Sequence, residues 1–155
     1  MYNSGAGCFP QVINCTFSNN TADAGGGIAN YTGATPTITR CTFTDNDAVY
    51  NGGAIFNSYY SNTGIERCTF VRNAAGDGGA MYNTFASPIL TVCLFFANSA
   101  TGYGGAILNI DYASPALETC TFFVNDGKRG GAVANVYDRS EERRVGKECR
   151  SRGLP

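Results

Sequence analysis

The chain has no histidine among its 155 residues, and tryptophan is also absent. Without an imidazole it cannot build a His-activated serine or cysteine nucleophile, a His general acid or base, or a His-ligated metal. Polar chemistry must then come from carboxylates, guanidinium groups, hydroxyls and thiols. Asp45 and Arg72 are the first pair to weigh. Each stands four residues after a cysteine, Cys41 or Cys68, at equivalent places in neighbouring copies of a repeat, and Asp47 lies two residues beyond Asp45. A carboxylate and a base on one outer face could cleave an acidic polysaccharide, whereas the commoner outcome of such spacing is a solvated ion pair. Arg40 and Arg67 form a second column, one residue before the same cysteines. They could contact an anionic sugar, or simply keep the surface soluble.

Other site chemistries fit less well. No Cys-x2–4-Cys pair exists, which removes the usual zinc spacing. Gly76-Asp77-Gly78-Gly79 is the nearest approach to a calcium-binding nonapeptide repeat and does not match it. Thr16, Thr42, Thr69 and Thr121 make an outward column broken by Leu94, beside a column of Ile13, Thr39, Glu66, Thr91 and Glu118, too irregular for an ice-binding face. Sequons at Asn14, Asn19 and Asn30 would matter only in a eukaryotic secretory route. On this reading no catalytic, cofactor-binding or metal-binding residue is assigned, and no cofactor is expected.

Composition narrows the class. Apolar residues make up 43% of the chain, a globular value, while charged residues reach only 15% against a usual level of about 25%. Residues 1–138 carry nine acidic and five basic groups, and residues 139–155 six basic and three acidic. The overall net charge of −1 argues against nucleic acid as a partner. No apolar run is long enough to cross a bilayer as a helix.

The elements that must position these groups emerge from the cysteines. Cys15, Cys41, Cys68, Cys93 and Cys120 are spaced by 26, 27, 25 and 27 residues. A phenylalanine follows each by two (Phe17, Phe43, Phe70, Phe95, Phe122) and an asparagine by five (Asn20, Asn46, Asn73, Asn98, Asn125). An aliphatic residue precedes each by three (Val12, Ile38, Ile65, Leu90, Leu117), and proline precedes it by five except where Thr63 stands. Glycine pairs then begin at Gly25, Gly52, Gly78, Gly104 and Gly130, each followed five residues later by Asn30, Asn57, Asn83, Asn109 or Asn135. Self-similarity at this period marks a solenoid.

Within a unit, Cys41 and Phe43 alternate with Thr42 as in a strand with one buried face. Gly-Gly supplies a positive φ or a close backbone approach, and so marks a corner. A unit holding two or three short strands cannot bury its own apolar face. Stacked units can, each strand pairing with its copy about 4.8 Å away. The sequence therefore predicts an all-β fold over residues 1–138, a right-handed parallel β-helix of about five coils with about 26 residues per coil. Ladders of cysteine, phenylalanine and asparagine would fill it, with asparagine suited both to a left-handed corner and to amide bonds between coils. In-register parallel neighbours hold their Cβ atoms farther apart than a disulfide allows, so the cysteines read as an unpaired buried ladder. Cys8 occupies a position held by Ala34, Ser61, Ala86 and Ala113 elsewhere, a tight place for a small residue.

The pairing of Gly52-Gly53-Ala54-Ile55 and Gly104-Gly105-Ala106-Ile107 with Phe43 to Asn46 and Phe95 to Asn98 resembles the polymorphic outer membrane protein repeat of chlamydial surface autotransporters. Gly27 and Val133 depart from it, replacing Ala and Ile. The resemblance implies a bacterial, extracellular or cell-surface setting, outer-membrane associated in the parent protein. It also implies a structural or adhesive passenger without catalysis, meeting carbohydrate or a neighbouring cell surface. The rival expectation is a β-helix polysaccharide lyase or glycosidase.

Both ends read as irregular. Met1-Tyr2-Asn3 matches Met81-Tyr82-Asn83, so the chain is expected to start mid-coil as a truncated piece, with no signal-peptide pattern visible. Residues 139–155, with Cys149 off the cysteine register, read as a disordered or adaptor-derived basic tail outside the fold.

Overall fold

The structure, a computed structural model, describes residues 1–137. The basic tail expected over residues 139–155 lies outside the described residues. The described chain forms short parallel strands that assemble into one six-stranded and three five-stranded sheets. In each sheet the strands follow one another coil by coil, so every neighbour is the equivalent strand of the next turn. A full coil contributes four strands, as in Thr37–Thr39, Thr42–Thr44, Asp47–Asn51 and Ile55–Ser58. They belong to the first, second, third and fourth sheets respectively.

Four strands replace the two or three expected, and the reason is local. Residues 37–43 alternate like one strand, but Arg40 adopts the left-handed conformation and divides it. The same happens at Asp45, ahead of the third strand. Both breaks recur in every coil: Asn14, Arg40, Arg67, Val92 and Thr119 at one corner, Asn19, Asp45, Arg72, Ala97 and Val124 at the other, all with φ between 50° and 55°. Such a backbone costs roughly 1–2 kcal/mol at a residue with a Cβ. Arg, Val and Ala gain nothing local from it, so the stack imposes the corner. The ladder asparagines are not the left-handed residues that the sequence reading made them; the residue just before each of the first set is.

The core is a set of columns. Phe17, Phe43, Phe70, Phe95 and Phe122 stack face to face with ring centroids 4.9, 5.0, 4.6 and 4.8 Å apart. Ile38, Ile65 and Leu90 fill the wall before them, and Cys41, Cys68 and Cys93 lie buried between the two. The cysteines at 8, 15, 41, 68, 93 and 120 are all free thiols. Cys41 donates to the carbonyls of Val12 and Thr39, and burial pushes the Cys68 thiol up to about 12 and Cys93 to about 11. These buried sulfurs are packing groups, since the reactive species is the thiolate.

The asparagines carry the polar half of the core. Asn73 Nδ2 donates to Asn98 Oδ1 (2.9 Å) and to the Phe43 carbonyl (3.0 Å). Its Oδ1 accepts from Asn46 Nδ2 (2.9 Å) and from the Asn46 backbone N–H (3.1 Å). Both donors and both lone pairs are thereby used. A second ladder runs Asn3, Asn30, Asn57, Asn83, Asn109, Asn135 at 2.8–2.9 Å per step. Thr63, where other units have proline, donates its hydroxyl to Asn57 Oδ1 at 2.8 Å.

The two glycines of each pair serve different needs. Gly52 has φ +64°, which favours glycine, while a Cβ on Gly53 would collide with the backbone carbonyls of Gly79 and Ala74. Units with one more residue before Gly-Gly absorb it as a register shift in the third sheet, leaving the other sheets in step.

Truncating a central ring tests this packing. Phe70→Ala should lower unfolding free energy by about 3–5 kcal/mol, whereas Phe123→Ala, on a ring 61% exposed, should cost well under half of that. Urea denaturation followed by far-UV circular dichroism checks both; comparable losses would contradict the placement of these rings.

Candidate functional site

Asp45 is held outward by its left-handed corner, and Arg72 occupies the same corner one coil on. The structure brings the two together as a two-pronged pair. Arg72 Nε donates to Asp45 Oδ1 at 2.8 Å, and Nη2 to Oδ2 at 2.7 Å. The Thr44 hydroxyl donates to Oδ2 at 3.0 Å and accepts from Arg72 Nη2 at 3.3 Å. The Arg72 fork and, after it, the Thr44 hydroxyl hold the Asp45 carboxyl below its ordinary range, and the same contact raises Arg72. Both shifts lead away from neutrality, where a general acid or base works best.

Asp47 begins the next strand and does not join the pair's hydrogen bonds; its register partners are Thr21 and Ala74 on the adjacent coils. Among the described residues no group of three or more His, Cys, Asp or Glu side chains is placed to hold a metal ion. Arg40 and Arg67 do share a column, but they point to different partners. Arg40 Nε donates to Asn14 Oδ1 at 2.8 Å, and Arg67 pairs with Glu66 at 3.2 Å. Arg67 borders a shallow cavity of about 480 Å3 with Thr69, Leu94 and Thr121.

Two features escape the sequence reading. An outer apolar cluster of Ala29, Phe56, Tyr82 and Leu108 lies buried on the outward side of the fourth sheet, packed with Tyr31 and Tyr103. Beside it, past the fourth sheet, Tyr59 stacks on Phe85 at 5.8 Å between centroids, and Phe85 meets Tyr112 in a tilted pair at 6.1 Å. The column continues as Thr32 and Gly5, so the rings stop at Tyr59. At that step lies a shallow cleft of about 620 Å3 lined by Ala6, Thr32, Gly33, Tyr59 and Tyr60. Ser58 and Ser61, flanking the two tyrosines, bury hydroxyls with no hydrogen-bond partner. The only signal in the sequence is an aromatic residue two or three positions after the second asparagine in four of the units.

A family described as the right-handed β-helix region matches residues 1–140. The chain belongs to the right-handed β-helix family. No curated protein and no solved structure matches it. Membership gives the solenoid the hand expected from strand crossover, and β-helix scaffolds serve enzymes and non-enzymes alike, so function must be argued from the outer faces.

Because the folded Asp45 carboxyl lies below its unfolded value, the pair stabilises fully above the ordinary carboxylate range. That contribution is lost as pH falls through the lowered folded value. Asp45→Asn should therefore melt slightly below the parent at pH 7, converge with it in strong acid, and differ less in 1 M salt. Thermal unfolding across a pH series reads this, and a gap that widens in acid would contradict it.

Proposed function

We propose that this β-helix is a non-catalytic structural or adhesive repeat segment of a bacterial cell-surface or secreted protein. Its outer faces would meet carbohydrate or the surface of a neighbouring cell. The observation that carries this reading is the contrast between the two sides of each strand. In the first sheet the inward column is Val12, Ile38, Ile65, Leu90, Leu117, while the outward column in the same register is Gln11, Thr37, Gly64, Ile89, Ala116. A chain that holds its inside constant and varies its outside provides a long surface whose contacts are set coil by coil.

The pairing of Gly-Gly-Ala-Ile with Phe-x-x-Asn supports the finer reading, a repeat of the polymorphic outer membrane protein type in a passenger outside the cell. The state of Asp45 and Arg72 supports the absence of catalysis, because each satisfies the other. The rival is a polysaccharide lyase using that same pair.

One experiment separates them. The purified chain is presented to immobilised neutral and acidic glycans, and in parallel incubated with polygalacturonate and alginate. Retention on glycans with no release of unsaturated oligosaccharides is the expected result. Turnover abolished by Arg72→Ala would replace the adhesive reading with the lyase.

A further inference from the structure

The ladder of rings that ends at Tyr59 leaves a place for one more. Backbone hydrogen bonds from Gly5 to Tyr31, from Gly33 to Tyr59 and from Tyr59 to Thr84 set Gly5, Thr32, Tyr59 and Phe85 one above another on successive coils. Tyr59 is nearly parallel to Phe85, with an interplanar angle of 9°, so one of its faces is covered. Its other face looks toward the coil of Thr32 and Gly33, where no ring continues the column. The cleft of about 620 Å3 lies at this step, within the usual range for small-ligand sites.

The backbone at this corner is left-handed on successive coils. Tyr59 and Tyr60 are consecutive and both left-handed, with φ 47° and 65°. A bulky aromatic residue in that conformation is an outlier. The same double left-handed corner recurs at Thr32-Gly33 and Asp111-Tyr112, and here it holds two tyrosines outward, 57% and 72% exposed.

We propose that this cleft binds one neutral pyranose ring of a glycan, stacked on Tyr59 as an added rung of the column. The inference rests on the carbohydrate-binding reading above and names the site and the sugar class. A pyranose has an apolar C–H face to cover the Tyr59 ring and equatorial hydroxyls at its edge. The lining offers phenol and threonine hydroxyls to those groups, from Tyr59, Tyr60 and Thr32. None of the lining residues is charged, so the site has nothing with which to neutralise an acidic sugar. Gly33 and Ala6 line the same depression with small groups that leave the Tyr59 face uncovered.

The test uses the full chain, with neutral and uronic-acid oligosaccharides as probes. Binding is followed by calorimetry and by saturation-transfer NMR, in which the sugar's C–H protons report ring stacking. Neutral oligosaccharides should bind with their ring C–H protons most strongly saturated. Tyr59→Ala should weaken them about tenfold, while Tyr59→Phe should keep most of the affinity. Ala6→Trp, which fills the cleft and removes no tyrosine, should block binding, and Tyr112→Ala, at the far end of the column, should not. Binding of neutral glycans unaffected by Tyr59→Ala and Ala6→Trp would overturn the site and leave the adhesive reading standing. Binding of uronic acids alone would do the same. Capture of aromatic peptides in place of sugars would overturn the ligand class, and no binding to any glycan would remove both readings.

Discussion

Everything in this molecule depends on like groups lying directly above like groups on successive coils. The asparagine amide shows why. Asn73 reaches full hydrogen-bonding capacity only because Asn46 stands on one side of it and Asn98 on the other. A buried amide that lost one of those neighbours would keep the desolvation cost of an unpaired group, about 1–3 kcal/mol. The phenylalanine column has the same logic in apolar form: each ring is covered by its own copies. A coil is therefore stable only as one of several, and cannot change its inward residues independently.

That constraint also fixes where the chain is free to vary. Length changes fall in the third sheet, where a register shift absorbs them before the Gly-Gly corner restores the step, and in the segment leading back to the cysteine, where Asn83 to Cys93 is one residue shorter than Asn57 to Cys68. Side chains on the left-handed corners are free because the stack, and not their type, sets the backbone. Arginine, valine, threonine and asparagine all occupy one of those columns. Function in a β-helix of this kind belongs to such positions. The Asp45–Arg72 pair and the Tyr59 ladder are both corner features, built from residues the core does not specify.

What the sequence made legible follows the same division. Inward columns could be read because registry forces their residues to recur, and the neighbouring of Asp45 and Arg72 followed from their equal distance from Cys41 and Cys68. The fourfold division of the coil was present as a break in parity: Ile38 and Cys41 are both buried yet three apart, as are Phe43 and Asn46, which a continuous strand cannot do. The outer cluster around Phe56 and Tyr82 was hidden because the outward side of a solenoid strand is ordinarily wet, and its covering comes from other segments of the coil. The aromatic column was hidden by its own variability, since it runs Gly5, Thr32, Tyr59, Phe85, Tyr112 and Asp111 shifts its last member by one. No alignment of inward residues carries that information.

The most direct measurement of in-register stacking is a map of proton contacts among the asparagine side-chain amides by NMR of the isotope-labelled chain. The amide protons of Asn46, Asn73 and Asn98 should show nuclear Overhauser contacts to one another in series, across separations of 27 and 25 residues. They should also reach the phenylalanine strands one coil back. Amide contacts confined to residues near in sequence, or arranged as antiparallel hairpins, would contradict the stacked β-helix on which the rest stands.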